Sequence, residues 1–235
     1  MKKYKIALVA TIVLILLGVM IQHQITQRNS WKSWNLPLSG KIVIIDAGHG
    51  GPDGGAVGDE VLEKDVTLKI SLMIRDYLQG QGALVMMTRD DDYDLADEQV
   101  KGYGRRKVED LKKRLKLINE SSADMYLSIH LNAIPSAKWR GAQTFYHGSL
   151  EENKNLAKFI QAEIKDNLKN TDRDAKPIQG IYLLKHAKVP GALVEVGFLS
   201  NRAERELLQT KKYQRKIAES IYEGVNRYLT EETIK

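Results

Sequence analysis

Between Ile6 and Ile21 the chain runs "IALVATIVLILLGVMI" without a charge, directly after Lys2, Lys3 and Lys5. A helix packed in a soluble core keeps a polar stripe, and this run has none. Basic residues followed by such a run mark an export signal or a membrane anchor. The run is long for a signal core and slightly short for a bilayer span. No small-x-small cleavage site follows it, so residues 1–21 read as a retained signal anchor rather than a cleaved signal peptide. The lysines then stay cytoplasmic and the rest of the chain lies outside. Residues 22–40 are polar, contain Pro37 and show no period. They read as a linker, with Trp31 and Trp34 suited to a membrane surface or to the domain.

From Lys41 the pattern changes. "KIVIID" at 41–46 is continuously apolar until its Asp, as expected of a strand buried on both faces. Residues 63–78 place Val66, Ile70, Met73, Ile74 and Tyr77 on one helical stripe, closed by Gly80 and Gly82. Residues 105–121 do the same with Val108, Leu111, Leu115 and Ile118. Further helices are expected over 151–168 and 213–229. Strands are expected at 83–88, 125–130, 142–147, 181–185 and 192–198. Strands alternating with helices imply an α/β fold, a largely parallel sheet with helices on both faces. One domain fills 41–230, with 231–235 as a tail. In such sheets functional groups collect at the carboxyl ends of the strands.

Charge and cysteine content narrow the chemistry. The formal charge of +6 includes the three N-terminal lysines, and the remaining 33 basic residues nearly balance 30 acidic ones. That is no nucleic-acid footprint. Cysteine is absent, so a metal can be held only by His, Asp or Glu.

The first strand ends in "DAGHGGPDGGA", with glycines at 48, 50, 51, 54 and 55. No placement gives G-x-G-x-x-G, and no G-K-[ST] follows, so this is not a phosphate cradle. A flexible turn accounts for the glycines but not for His49. His130, in "SIHLN", occupies the same topological position after another buried strand. Glu63 opens the first long helix, where an acidic residue also suits the helix dipole. Two imidazoles and a carboxylate suit zinc, although the dispersed spacing does not decide the matter. Glu195 lies inside the apolar run "ALVEVGF", where a charged carboxylate is costly unless paired or given a task. A buried salt bridge to Arg89, Arg114 or Lys185 is one explanation; a general base is the other.

Taken in order, "DAGHGGPDGGA", "EKDVTL", "TRDDD", "SIHLNA" and "LVEVGFLSN" resemble the signatures of the zinc-dependent N-acetylmuramoyl-L-alanine amidases of family 3. The resemblance covers residues 41 to about 229. It implies a mixed six-stranded sheet and zinc held by His49, Glu63 and His130. It also implies Glu195 as the catalytic carboxylate and a substrate-positioning role for Asn132. The reaction implied is hydrolysis of the amide between N-acetylmuramic acid and L-alanine in peptidoglycan. A short catalytic domain without a wall-binding module is similar to the germination-specific members. Those imply spore-cortex muramic-δ-lactam formation, with a deacetylase acting downstream, in the space between forespore and mother-cell membranes. Asp46 is expected to cap the glycine loop or orient a histidine. The charged stretch 92–106 departs from the family pattern and reads as a solvated loop. The rival readings are a zinc carboxypeptidase acting on wall peptides and an inactive peptidoglycan-binding protein.

Overall fold

The computed structural model describes residues 14–22 and 36–230. The N-terminal lysines, Trp31, Trp34 and the tail at 231–235 lie outside the described residues. Residues 14–22 form helix α1. Among the described residues, no helix is long and apolar enough to cross a membrane. A separate folded unit begins at Pro37. Leu38, in the stretch the hydropathy pattern assigns to the linker, is fully buried in that unit's core and donates its N–H to Gln81 O at 2.9 Å.

The unit runs β1 (Ile42–Ala47), β2 (Val57–Gly58), β3 (Val61–Leu62), α2 (Glu63–Gly80), β4 (Leu84–Met87), α3 (Tyr103–Glu120), β5 (Met125–Asn132) and β6 (Gln143–Tyr146). Then follow α4 (Glu151–Leu168), β7 (Lys176–Pro177), α5 (Tyr182–His186), β8 (Gly191–Phe198), α6 (Arg202–Leu208) and α7 (Lys211–Thr230). Six strands form one sheet in the order β4-β1-β5-β8-β6-β7, parallel except where β6 meets β8. β2 and β3 form a separate small hairpin.

Side chains alternate across the sheet and give it two apolar faces. Val43, Ile45, Leu127, Ile129, Val194 and Val196 pack against α2, α4 and α7. Ile44, Tyr126 and Leu193 pack with Ile118 of α3 and with Leu183 and Leu184 of α5. This double cover explains why the central strands read as unbroken apolar runs.

Two local expectations fail. "IYLLK" is not a strand: Tyr182–His186 form the short helix α5, whose Leu183 and Leu184 are buried on the sheet. Its β-rich composition yields to that packing. Val108 is 54% exposed rather than inward. The inward face of α3 carries Asp110, Arg114 and Ile118, and Val108 lies about 120° round the helix from the centre of that stripe.

Candidate metal centre and active site

The carboxyl ends of β1, β5 and β8 meet at a cleft of about 380 Å³. His49 follows β1 on the glycine loop, with a left-handed backbone at φ 64°. Gly48 permits the approach to β5: a Cβ there would lie 2.6 Å from His130 Cε1. Two buried arginines fix this loop by its carbonyls. Arg114 donates to Ala47 O at 2.8 Å and to His49 O at 2.7 Å. Arg89 donates to Ala47 O, Gly48 O and Lys64 O. Both arginines are therefore engaged away from Glu195.

The β2–β3 hairpin returns the chain so that Glu63, the first residue of α2, enters the cleft. Ala56 N–H and Leu131 N–H hold its two oxygens at 2.7 and 2.8 Å. Glu63 Oε2 is 3.1 Å from His49 Nε2, and Oε1 is 2.9 Å from His130 Nδ1. The two rings stand edge to face, 5.0 Å between centroids. One donor atom from each of His49, Glu63 and His130 lies within 4.8 Å of the others. Two imidazoles and one carboxylate, converged on one point and backed by fixed amides, fit a zinc ion by donor type.

Burial raises the cost of charge at His49 and Glu63, and the local partners decide the outcome. Burial opposes the charged form of His49, yet bonds to Asp53 and Glu63 push it up to about 9. Burial would raise the Glu63 carboxyl, but His130 and His49 hold it well below the usual carboxylate range.

Glu195 stands apart. It is the parallel-register neighbour of His130, so both side chains share one face of the sheet. Glu195 Oε2 is inaccessible to solvent and has no hydrogen-bond partner among the described residues. Burial pushes its carboxyl up to about 7, with the nearby Glu63 charge adding and the two histidines opposing. A carboxyl poised near neutrality is suited to take and return a proton.

The structure also places residues that the sequence pattern misassigns or leaves unread. Asp46 neither caps the glycine loop nor touches a histidine; it accepts from Thr88 Oγ1, Ser128 Oγ and Arg114 Nη1 at 2.6–2.8 Å. Its burial penalises the charge, but Arg114 and Ser128 more than offset this and lower its pKa. Asp53, four residues beyond His49, is the carboxylate that meets a histidine: its Oδ2 is 2.9 Å from His49 Nδ1. Because an ionised carboxylate only accepts, Nδ1 carries a proton toward Asp53; in the metal-free chain Nε2 carries one toward Glu63 as well, and a metal bound at Nε2 would displace that second proton. No local signal pointed to it, because "HGGPD" is a glycine- and proline-containing loop in which an i, i+4 spacing fixes no geometry. Asn132 is not among the residues that line the cleft, and between His130 and Asn132 the pairing with β8 shifts by one extra residue on β8.

Comparison with known proteins bears on the identity of this cleft. A sequence model of the N-acetylmuramoyl-L-alanine amidases matches residues 43–227. The germination-specific N-acetylmuramoyl-L-alanine amidase of Bacillus subtilis (strain 168) is 60% identical over 217 residues, covering 92% of each chain. Among solved structures, the CwlD amidase from Clostridioides difficile, in complex with the GerS lipoprotein, superposes with a TM-score of 0.80. It is 44% identical, and the match covers 82% of this chain and 100% of that one. An N-acetylmuramoyl-L-alanine amidase from Clostridium difficile 630 gives a TM-score of 0.72 at 32% identity, over 82% of this chain and 98% of that one. A sheet edge carrying two histidines, a fixed carboxylate and an orphan glutamate thus comes with a family match across most of the chain, and the protein belongs to the N-acetylmuramoyl-L-alanine amidase family.

Proposed function

We propose that this cleft hydrolyses the amide bond between the lactyl group of N-acetylmuramic acid and the L-alanine of a peptidoglycan stem peptide. His49, Glu63 and His130 hold zinc, and Glu195 carries the proton. The observation that supports this most strongly is the buried, unpartnered Oε2 of Glu195 on the same face as His130. Zinc, when bound, supplies Lewis acidity that acidifies water and polarises the scissile carbonyl. Glu195 accepts the proton of the attacking water. As the C–N bond breaks, it returns that proton to the departing alanine nitrogen. Leu111, Leu183 and Leu193 give the same cleft an apolar wall.

Replacing Glu195 by Gln removes the proton carrier and leaves the donor set. The expected result is unchanged zinc content by elemental analysis, with hydrolysis of muropeptides reduced by about 100-fold or more. Near-normal turnover overturns the assignment. Mass spectrometry of the digest separates the rivals. An amidase releases a peptide with a free L-alanine amine, a carboxypeptidase shortens the stem from its other end, and a wall-binding protein releases nothing.

The cell-wall substrate puts this action outside the cytoplasm, and the finer setting rests on further argument. Lys2, Lys3 and Lys5 before the apolar run at 6–21 support a membrane tether, although no membrane-spanning helix is found among the described residues. Release of the full chain from membranes by alkaline carbonate overturns the tether. The likeness to a germination-specific amidase supports a role in the spore cortex. Peptide removal leaves a free lactyl carboxyl, and closing it onto the neighbouring sugar nitrogen to form muramic-δ-lactam requires that the N-acetyl group be removed. A deacetylase must therefore act on the product.

A further inference from the structure

Residues 92–102 form the largely exposed loop that the sequence suggests, 103–106 open α3, and the side chains of this stretch are tied to their surroundings. At its start Asp92 ties the stretch to the glycine loop. Asp92 Oδ1 accepts Gly51 N–H at 2.8 Å, and Asp92 Oδ2 pairs with Lys64 Nζ at 2.7 Å. Lys64 in turn donates to Gly51 O at 2.8 Å. The stretch is then fastened onto α3: Asp94 pairs with Arg106, Asp97 with Lys113, and Leu95 N–H donates to Asp110 Oδ1 at 2.9 Å.

At the start of α3 two half-exposed side chains turn their polar tips inward onto one carboxylate. Tyr103 Oη donates to Asp53 Oδ1 at 2.8 Å, and Lys107 Nζ lies 3.0 Å from Asp53 Oδ2. Gly55 N–H adds a bond to Oδ1 at 3.0 Å, and His49 Nδ1 meets Oδ2 at 2.9 Å. Two oxygens thus receive four donors, which uses all the acceptor positions of a carboxylate and leaves it one orientation. Lys107 Nζ also stands 5.8 Å from the centre of the Tyr103 ring, so the two side chains hold one another. Tyr103 is 54% exposed, so core packing does not account for its place.

We propose that segment 92–107 is a clamp that positions His49. Tyr103 and Lys107 fix Asp53, Asp53 fixes the proton and ring plane of His49, and Asp92 fixes the backbone beside it. They are positioning residues, and their effect reaches the metal through the geometry of one ligand. The proposal rests on His49 being a metal ligand, as proposed above.

The test uses the full chain. Zinc affinity is measured by competition with a chromophoric chelator, and the visible absorption of the cobalt(II)-substituted protein reports ligand geometry. The double variant Tyr103→Phe/Lys107→Met is expected to bind zinc about tenfold more weakly and to shift the cobalt bands. Tyr103→Phe alone, which removes only the hydroxyl that donates to Asp53, shifts both in the same direction by less. Lys107→Arg restores the wild-type values, and Lys116→Met, on the solvent side of α3, leaves them unchanged. Affinity and spectrum within twofold of wild type in the double variant overturn the clamp. His49→Ala separates the two levels: retention of zinc there sinks the ligand assignment itself. Loss of zinc there with an unaffected double variant sinks only the clamp.

Discussion

Gly55 shows how narrowly single residues are specified here. Its φ is +70°, and a Cβ on it would fall 2.6 Å from both Glu63 Oε2 and His49 Cδ2. An alanine at this position meets backbone strain and pushes two of the three converging donors apart. Gly55→Ala is expected to destabilise the domain by about 1–2 kcal/mol and to weaken zinc binding as well. A chelator titration showing unaltered affinity contradicts that expectation. The four residues of greatest chemical interest were readable as types: imidazoles at two strand ends, an acid at a helix start and an acid inside an apolar strand. Asp53 was not. Its role depends on a loop turning back within four residues and on Tyr103 and Lys107, some fifty residues later, reaching the same oxygens.

At the scale of elements, the apolar runs of β1, β5 and β8 and the stripe of α2 were legible because burial on fixed faces imposes a period. Elements governed by polar contacts or by their neighbours were not. The inward face of α3 is half ionic, with Arg114 bonded to Asp110 and Asp46 at 2.8 Å, so an apolar stripe alone misplaced Val108. The five residues of α5 form a single helical turn laid on the sheet, too short for any period to show. Arg114 joins α3 to the end of β1, and both of its acid partners are buried. Arg114→Met is therefore expected to cost about 3–5 kcal/mol, since it strands two buried carboxylates. Urea unfolding that moves by less than 1 kcal/mol contradicts this account of the junction.

Across the whole molecule, the cleft makes stability depend on pH in a way the net charge of +6 does not suggest. In the metal-free chain Glu195 titrates near 7 instead of 4.5, so the folded form keeps a proton that the unfolded form has lost between those values. Stability from this group falls as pH rises through that window, by on the order of 3 kcal/mol at about 1.4 kcal/mol per pH unit. His49, held at about 9 instead of 6.5, contributes stability that is complete below 6.5 and lost by about 9, in the same direction. Glu63 and Asp53, both lowered, act the other way only in acid. Thermal unfolding in EDTA is therefore expected to show stability declining from pH 5 to 9, with Glu195→Gln removing the lower half of the decline. Zinc binding needs deprotonated ligands, so its stabilisation grows over the same range. The gap between zinc-loaded and EDTA-treated unfolding midpoints should widen from pH 6 to 8. A gap that stays constant means the protons displaced by the metal are not the ones the cleft holds, and the three donors do not act as its ligands.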